Sequence, residues 1–258
     1  MSSILFEIKE SVAVITLNRP KVYNSFNREM ALEMQTRLDE CETNKDIRAV
    51  YITGNGKAFS AGQDLQEVTS ENAPTFPTIL GEHYNPIITR IRNIEKPIVC
   101  GVNGVAAGAA ANIAFACDIT VATESASFIQ AFSKIGLIPD SAGTFFLPRL
   151  IGFQKASALM MLGNKVSATE AESMGMIYQV VPDESFAETA FGIAKKLSKM
   201  PTKGLGLTKR ALNQSLVNDL NAQLELEKVI QTEAGATYDY KEGVQSFIEK
   251  RKPVFKGA

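Results

Sequence analysis

The chain has little of what several protein classes need. Among its 258 residues there is no tryptophan and a single histidine, His83. One histidine excludes a histidine-rich metal centre, and no metal site is expected. It also weakens a Ser-His-Asp hydrolase, because that one residue would have to serve as the base. The three cysteines, Cys41, Cys100 and Cys117, are too few and too scattered for a disulfide framework or a zinc site. Buried free thiols are the expectation. No apolar run reaches membrane-spanning length. The longest candidate, 98–119, is broken by Asn103, Gly104 and Asn112. The N-terminal residues lack the charged and apolar regions of a signal peptide, and the C-terminal Phe-Lys-Gly-Ala is not a peroxisomal address. A cytoplasmic protein without a membrane partner is therefore expected. Excess charge is missing too. Twenty-seven basic and 28 acidic residues leave a formal charge of −1, with no basic stripe. That argues against a nucleic-acid partner.

What is present is a globular composition, 45% hydrophobic, long enough for one large domain or one domain with an appendage. The first part alternates strand and helix signals. Strands are expected at 12–17, 47–53, 98–102 and 118–122, where β-branched residues cluster. Helices are expected at 26–41, with Met30, Met34 and Leu38 at four-residue steps and Asn27 as the cap, and at 79–94 and 109–116. A further helix starts at 64–69, 70–77 reads as a surface loop, and 103–108 reads as a turn. This alternation implies βαβ units and a mostly parallel sheet, an α/β fold. From Lys155 onward the pattern is almost wholly helical, with candidates at 155–162, 168–174, 186–198, 202–215, 220–233 and 240–250. The shift divides the chain into a core, 1–195, and a helical C-terminal region, 196–258.

Two turn segments have chemical potential. Ala61-Gly62-Gln63-Asp64-Leu65 follows a strand and opens a helix, so its free N–H groups can face an anion or a developing oxyanion. Asn103-Gly104-Val105-Ala106-Ala107-Gly108-Ala109 does the same with side chains small enough to let a ligand approach the backbone. Read alone, each equally fits close helix packing, and neither is a P-loop or a dinucleotide fingerprint.

Taken together they fall into an ordered series. It runs Asn18-Arg19-Pro20-Lys21, Ala61-Gly62-Gln63-Asp64-Leu65, Lys96-Pro97, Asn103-Gly104-Val105-Ala106-Ala107-Gly108, Cys117-Asp118-Ile119, Gly136-Leu137-Ile138-Pro139-Asp140 and Leu147-Pro148-Arg149-Leu150-Ile151-Gly152. The chain resembles, over essentially its whole length, the enoyl-CoA hydratase/isomerase, or crotonase, superfamily. That resemblance implies a crotonase (ClpP-like) fold of repeated ββα units, with a C-terminal helical region that makes trimers, often paired into hexamers. It implies an acyl-CoA thioester as ligand. No separate cofactor is implied, since CoA is part of the substrate.

By residue-to-residue matching, the resemblance gives the oxyanion-hole amides to Gln63 and Ala109. It places Lys21 and the segment Ala61, Gly62, Gln63, Asp64 and Leu65 along the CoA and pantetheine, with Gly108 beside them. Phe247 and Lys250 would reach a neighbouring subunit's CoA. Lys250 equally fits a solvated helix end, and Asp64 equally fits a helix cap. His83 and Tyr84 are candidates for the acyl pocket wall, His83 more simply as a structural residue.

The positions matching the two glutamates of a hydratase hold Asn112 and Phe132, neither of which accepts a proton as a base at neutral pH. Hydration is therefore not expected. The carboxylate that remains is Asp140, among Leu137, Ile138, Phe145 and Phe146. Partial desolvation would raise its pKa and suit it to carry a proton away and back, and those apolar neighbours favour this reading over a helix cap. Segments such as Asn24-Ser25-Phe26-Asn27, Tyr84-Asn85-Pro86 and 131–140 look most like the branch that isomerises ring-1,2-epoxyphenylacetyl-CoA in bacterial phenylacetate degradation. That branch commonly has two glycines where this chain has Ala142-Gly143. An acyl-CoA isomerase is the expectation. Another activity of the family, hydration or thioester hydrolysis, and a non-catalytic member are the alternatives.

Overall fold

The computed structural model describes residues 2–258. The ten strands among the described residues make two sheets, and the chain passes from one to the other repeatedly in its middle. β1 (Ile4–Lys9) and β2 (Val12–Leu17) form an antiparallel hairpin closed by Glu10 and Ser11, both at positive φ. Two left-handed residues match the twist of paired strands. Because they are not Asn-Gly, the turn left no signal and β1 was not expected. β3 (Ala49–Gly54), β5 (Ile98–Val102), β7 (Ile119–Thr123) and β10 (Gln179–Val181) extend the sheet, all parallel from β2 on, in the order β1-β2-β3-β5-β7-β10. The second sheet holds β4 (Ala58–Ser60), β6 (Val105–Ala107), β8 (Ser127–Ile129) and β9 (Lys165–Ser167), in the order β4-β6-β8-β9.

β3, β5 and β7 of the first sheet are each followed by a three-residue strand of the second, and β6 leads directly into helix Ala109–Ala116. This is the ββα repeat. Two expectations are corrected. The segment 103–108 is not simply a turn, since Val105–Ala107 pairs with both β4 and β8. The chain after Lys155 also contains β9 and β10. Strands of three residues are too short to show a period of two against helical neighbours.

Helix Arg28–Thr43 is capped by the Asn27 side chain and buries Met30, Ala31, Met34, Leu38 and Cys41. Those residues sit on one face because three- and four-residue steps repeat with the helical turn. All three cysteines are buried and free, and burial pushes the Cys41 thiol up to about 12. Helix Phe186–Ser198 covers the other face of the first sheet, packing Phe186, Ala190 and Ala194 on Val12, Tyr51, Val99 and Val121. A sheet buried on both faces reads as continuous apolar runs, which is why β5 is buried at every residue.

The helix expected at 79–94 begins as a π-helix, Ile79–Tyr84, and continues as α-helix Asn85–Asn93. Pro86 has no N–H to continue an α ladder, and the Asn85 N–H bonds Leu80 O instead. Helices Thr202–Ser215, Leu220–Gly235 and Tyr238–Ile248 form the last region. It adds only Leu207 and Ile230 to the buried apolar side chains and leaves Leu212, Leu220, Leu224, Val244, Phe247 and Ile248 exposed. Arg48 ties it to the core, donating to Phe255 O, Met200 O and Thr202 Oγ1. Among the described residues no helix is long and apolar enough to cross a membrane, and no cluster of His, Cys, Asp and Glu could hold a metal ion.

Candidate functional site

The two turn segments meet. Ala61–Asp64 is clamped to the start of the first long helix, with Phe26 N–H donating to Gly62 O (2.7 Å) and Asp64 N–H donating to Phe26 O (2.8 Å). The Asp64 carboxylate caps the following helix through Gln66 N–H and pairs with Arg19 at 2.8 Å, so it is occupied within the protein. Gly62 has φ +88°, and a Cβ there would lie 2.8 Å from Ala107 O and 3.8 Å from Ala109 N. Only glycine satisfies both the backbone angle and the close approach. Gly108, at φ 56° and ψ −130°, turns the chain into helix Ala109–Ala116 while its N–H holds Ile129 O at 2.8 Å. A first-turn helical N–H has no partner inside its helix. Among the described residues, neither the Gln63 nor the Ala109 N–H donates to any group of the chain.

Both residues line a cavity of about 520 Å³, together with Ala61, Gly62, Leu65 and Gly108. Its far walls are apolar, contributed by Val68, Phe76, Ile79, Phe132, Ile135 and Leu137. Asp140 supplies the one carboxylate on the wall. Burial raises its pKa above the ordinary aspartate value, partly opposed by the Ser141 hydroxyl, whose oxygen lies 2.8 Å from Asp140 Oδ1. The Asp140 carbonyl accepts from Asn112 Nδ2 and from Gly143 N–H, each at 2.8 Å. The intervening Ser141 and Ala142 both have left-handed φ, 50° and 59°.

Tyr84 reaches the wall from the end of the π-helix. Its hydroxyl donates to Gln63 Oε1 (3.0 Å), and Gln63 Nε2 donates to Glu67 Oε2 (2.9 Å). Burial above all holds the phenol neutral, its pKa well above the usual value. His83, the neighbouring residue, is not on the wall. It is buried, its Nε2 has no partner, and burial lowers its pKa.

Of the residues singled out from the sequence, the structure therefore brings Ala61, Gly62, Gln63, Leu65, Gly108, Ala109 and Asp140 to one cavity. Lys21 is exposed beside Val22, which lines it. Phe247, 86% exposed, and Lys250 lie elsewhere; Phe247 borders a separate groove with Tyr240, Val244 and Phe255. Phe132 lines the cavity, whereas Asn112 is buried behind it. Sequence reasoning missed Glu67 and Gln130, and it singled out Ser141 as a departure beside Asp140 without foreseeing its bond to that carboxylate. Glu67 had a signal, standing four residues from Gln63 on a helix start. Gln130 had none.

The chain belongs to the enoyl-CoA hydratase/isomerase family, which it matches over residues 7–258. It is 45% identical over 260 residues to the 1,2-epoxyphenylacetyl-CoA isomerase of Escherichia coli (strain K12), covering 100% of this chain and 99% of that one. It is 42% identical over 255 residues to a probable enoyl-CoA hydratase of Rhodobacter capsulatus, covering 99% of this chain and 98% of that one. A crystal structure of an enoyl-CoA hydratase from Bacillus anthracis superposes with a TM-score of 0.95 at 32% identity, covering 99% of this chain and 100% of that one.

Proposed function

We propose that the protein is an acyl-CoA isomerase in which Asp140 carries a proton between two carbons of a bound thioester. In a 3-enoyl-CoA, the carboxylate takes a proton from the carbon next to the thioester carbonyl. The C–H electron pair moves into the carbonyl system, giving an enolate. The Gln63 and Ala109 N–H groups receive the oxyanion. When the enolate collapses, the former C3–C4 double bond takes the proton back from Asp140 at C4, and the new double bond lies between C2 and C3. Charge on the oxygen appears only along this path, so fixed donors there favour the transition state over the bound substrate.

The observation that carries this reading is the cavity wall itself. One partly desolvated carboxylate stands in an apolar enclosure with two unpaired backbone donors. A proton shuttle needs one base, and a raised pKa lets the same group act as acid on the return. Water addition needs a second group to activate water, and Asn112 and Phe132 supply none. The 45% identical relative makes ring-1,2-epoxyphenylacetyl-CoA, isomerised to an oxepin-type ester, the acyl substrate we favour. Double-bond shifts in other unsaturated acyl-CoAs fit the same machinery. CoA then enters only as part of the substrate. The exposed apolar side chains of the last three helices favour a trimer or hexamer as the working form.

The test is a product assay with epoxyphenylacetyl-CoA, a 3-enoyl-CoA and a 2-enoyl-CoA. The first two are expected to isomerise and the third to gain no water. Hydration of the third would favour the activity named for the Rhodobacter relative. Asp140→Asn keeps size and hydrogen bonding but cannot take the proton, so kcat should fall about 10²–10⁴-fold with CoA-ester binding retained. Near-wild-type turnover would sink the base assignment.

A further inference from the structure

We propose that the Gln63 side chain is a strut between the oxyanion turn and the acyl wall, tying Tyr84 to the Gln63 N–H so that the two set selectivity for ring-bearing acyl groups as one unit. The inference rests on the isomerase reading of the site.

Tyr84 is 1% exposed, yet it carries a phenolic O–H. A buried O–H needs a partner. Among the described residues that partner is Gln63 Oε1, 3.0 Å away and 21 residues back along the chain. The other end of the amide is taken as well, since Nε2 donates to Glu67 Oε2 at 2.9 Å. An ionised carboxylate only accepts, so Glu67 fixes which way the amide points and leaves Oε1 for the phenol. Glu67 is held in turn. Its Oε1 accepts from the Arg28 N–H at 2.8 Å, at the start of helix Arg28–Thr43, where negative charge is favoured.

A second contact joins the same parts. The Tyr84 ring lies 5.9 Å from the Phe26 ring, tilted by 52°. Phe26 is the residue whose backbone clamps Gly62 and Asp64, on either side of Gln63. Tyr84 therefore meets the donor segment twice, through its ring by way of Phe26 and through its hydroxyl by way of Gln63.

The wall that Tyr84 belongs to is a special one. Tyr84 closes the π-helix Ile79–Tyr84, and both end residues line the cavity while His83 does not. Such turns are rare and recur at functional sites. After burial, the Asp140 charge is the next cause of the raised phenol pKa, which puts Tyr84 on the reacting side of the cavity. An acyl group held by the Gln63 N–H at its carbonyl and facing Asp140 must then pass beside the phenol. A flexible chain can bend around a displaced wall. A ring cannot, except by carrying its reacting carbon away from donor and base, and small misplacements there are costly. Gln63 and Glu67 act through Tyr84 in this respect and are positioning residues.

The experiment compares kcat on cyclohexenylacetyl-CoA, a 3-enoyl ester with its double bond in a ring, and on linear 3-hexenoyl-CoA. The proteins are wild type, Tyr84→Phe, Gln63→Met, the double variant, Glu67→Gln and Asp140→Asn. The first four variants keep every backbone N–H, and thermal unfolding verifies their fold. We expect the ring-to-linear ratio of kcat to fall about 5- to 10-fold in Tyr84→Phe and in Gln63→Met, the size of one neutral hydrogen bond. The double variant should fall no further, because both changes remove the same bond. Glu67→Gln should lower the ratio less, since it frees the amide to turn without removing it. A merely structural defect would slow both esters alike and leave the ratio unmoved, which overturns the strut. Losses that add in the double variant overturn it too, as does a wild type that does not turn over the ring ester. If Gln63→Met does not fold, the ratio in Tyr84→Phe decides. An unmoved ratio with Asp140→Asn inactive removes the strut alone, whereas an active Asp140→Asn removes the isomerase reading and the strut with it.

Discussion

The two walls of the cavity are built by opposite means. On one side the groups proposed to act are backbone N–H groups, at Gln63 and Ala109, and their placement comes from glycines. Gly62 and Gly108 take conformations and approaches closed to other residues. On the other side the group proposed to act is a side chain, Asp140, before a left-handed turn without glycine at either strained position, its carbonyl held by the side chain of Asn112. Backbone chemistry leaves the side chain at the same position free to change, which is how alanine serves at 109. Side-chain chemistry is exposed to every substitution nearby. The Asp140 wall is therefore where sequence change should redirect the reaction, and the amide wall is where it should only weaken it.

The sharpest way to break this contrast is to remove a backbone donor while leaving its helix. Proline lacks the N–H and is tolerated at the first helical position, where that N–H has no helical partner. Ala109→Pro should lower kcat about 10²–10³-fold, the cost of losing one oxyanion donor. Ala109→Ser changes only the side chain and should stay within a few-fold. Circular dichroism checks the helix in both variants. Equal activity for the pair would mean that the Ala109 N–H does not face the reacting oxygen.

A smaller effect is expected where the donor survives but its spacing changes. In Gly62→Ala the new Cβ would lie 2.8 Å from Ala107 O at φ +88°, so one segment must move away from the other. We expect kcat to fall about 10-fold or more and Tm by about 2–4 °C, as for alanine forced into a positive φ. A thermal melt and a kcat determination check both. An unchanged Tm with full activity would show that the two loops tolerate separation.

The contrast also marks what was legible in the sequence. Gly62, Gly108 and the small residues around Ala109 allow close backbone approach but equally fit helix packing, so that wall was legible only through the family resemblance. Helix 109–116 and strand 98–102 were readable because apolar composition and glycine punctuation agree there. Strands of three residues, β4, β8, β9 and β10, were not, since a period of two needs more residues to declare itself. The π-turn before Tyr84 was hidden inside an ordinary helical pattern. On the Asp140 wall the carboxylate itself was readable from its apolar neighbours. The bond that holds it was not, because Asn112 and Gln130 are eighteen residues apart and meet only through the pairing of β6 with β8.

The finest test of the side-chain wall leaves Asp140 in place and alters one bond to it. The Ser141 hydroxyl lies 2.8 Å from Asp140 Oδ1 and favours the ionised carboxylate, opposing part of the upward push from burial. In Ser141→Ala that opposition is lost while position 141 keeps an ordinary L-residue, so its left-handed strain is common to both proteins. The Asp140 pKa should then rise further. The shuttle starts from the ionised base, so the sign follows. Well above that pKa the variant and wild type should have nearly equal kcat, and as pH falls the variant should lose activity first. A kcat profile on both proteins reads the offset of the acid limb. An offset toward lower pH would mean that the hydroxyl favours the protonated acid, and no offset would mean that the titrating group is not Asp140.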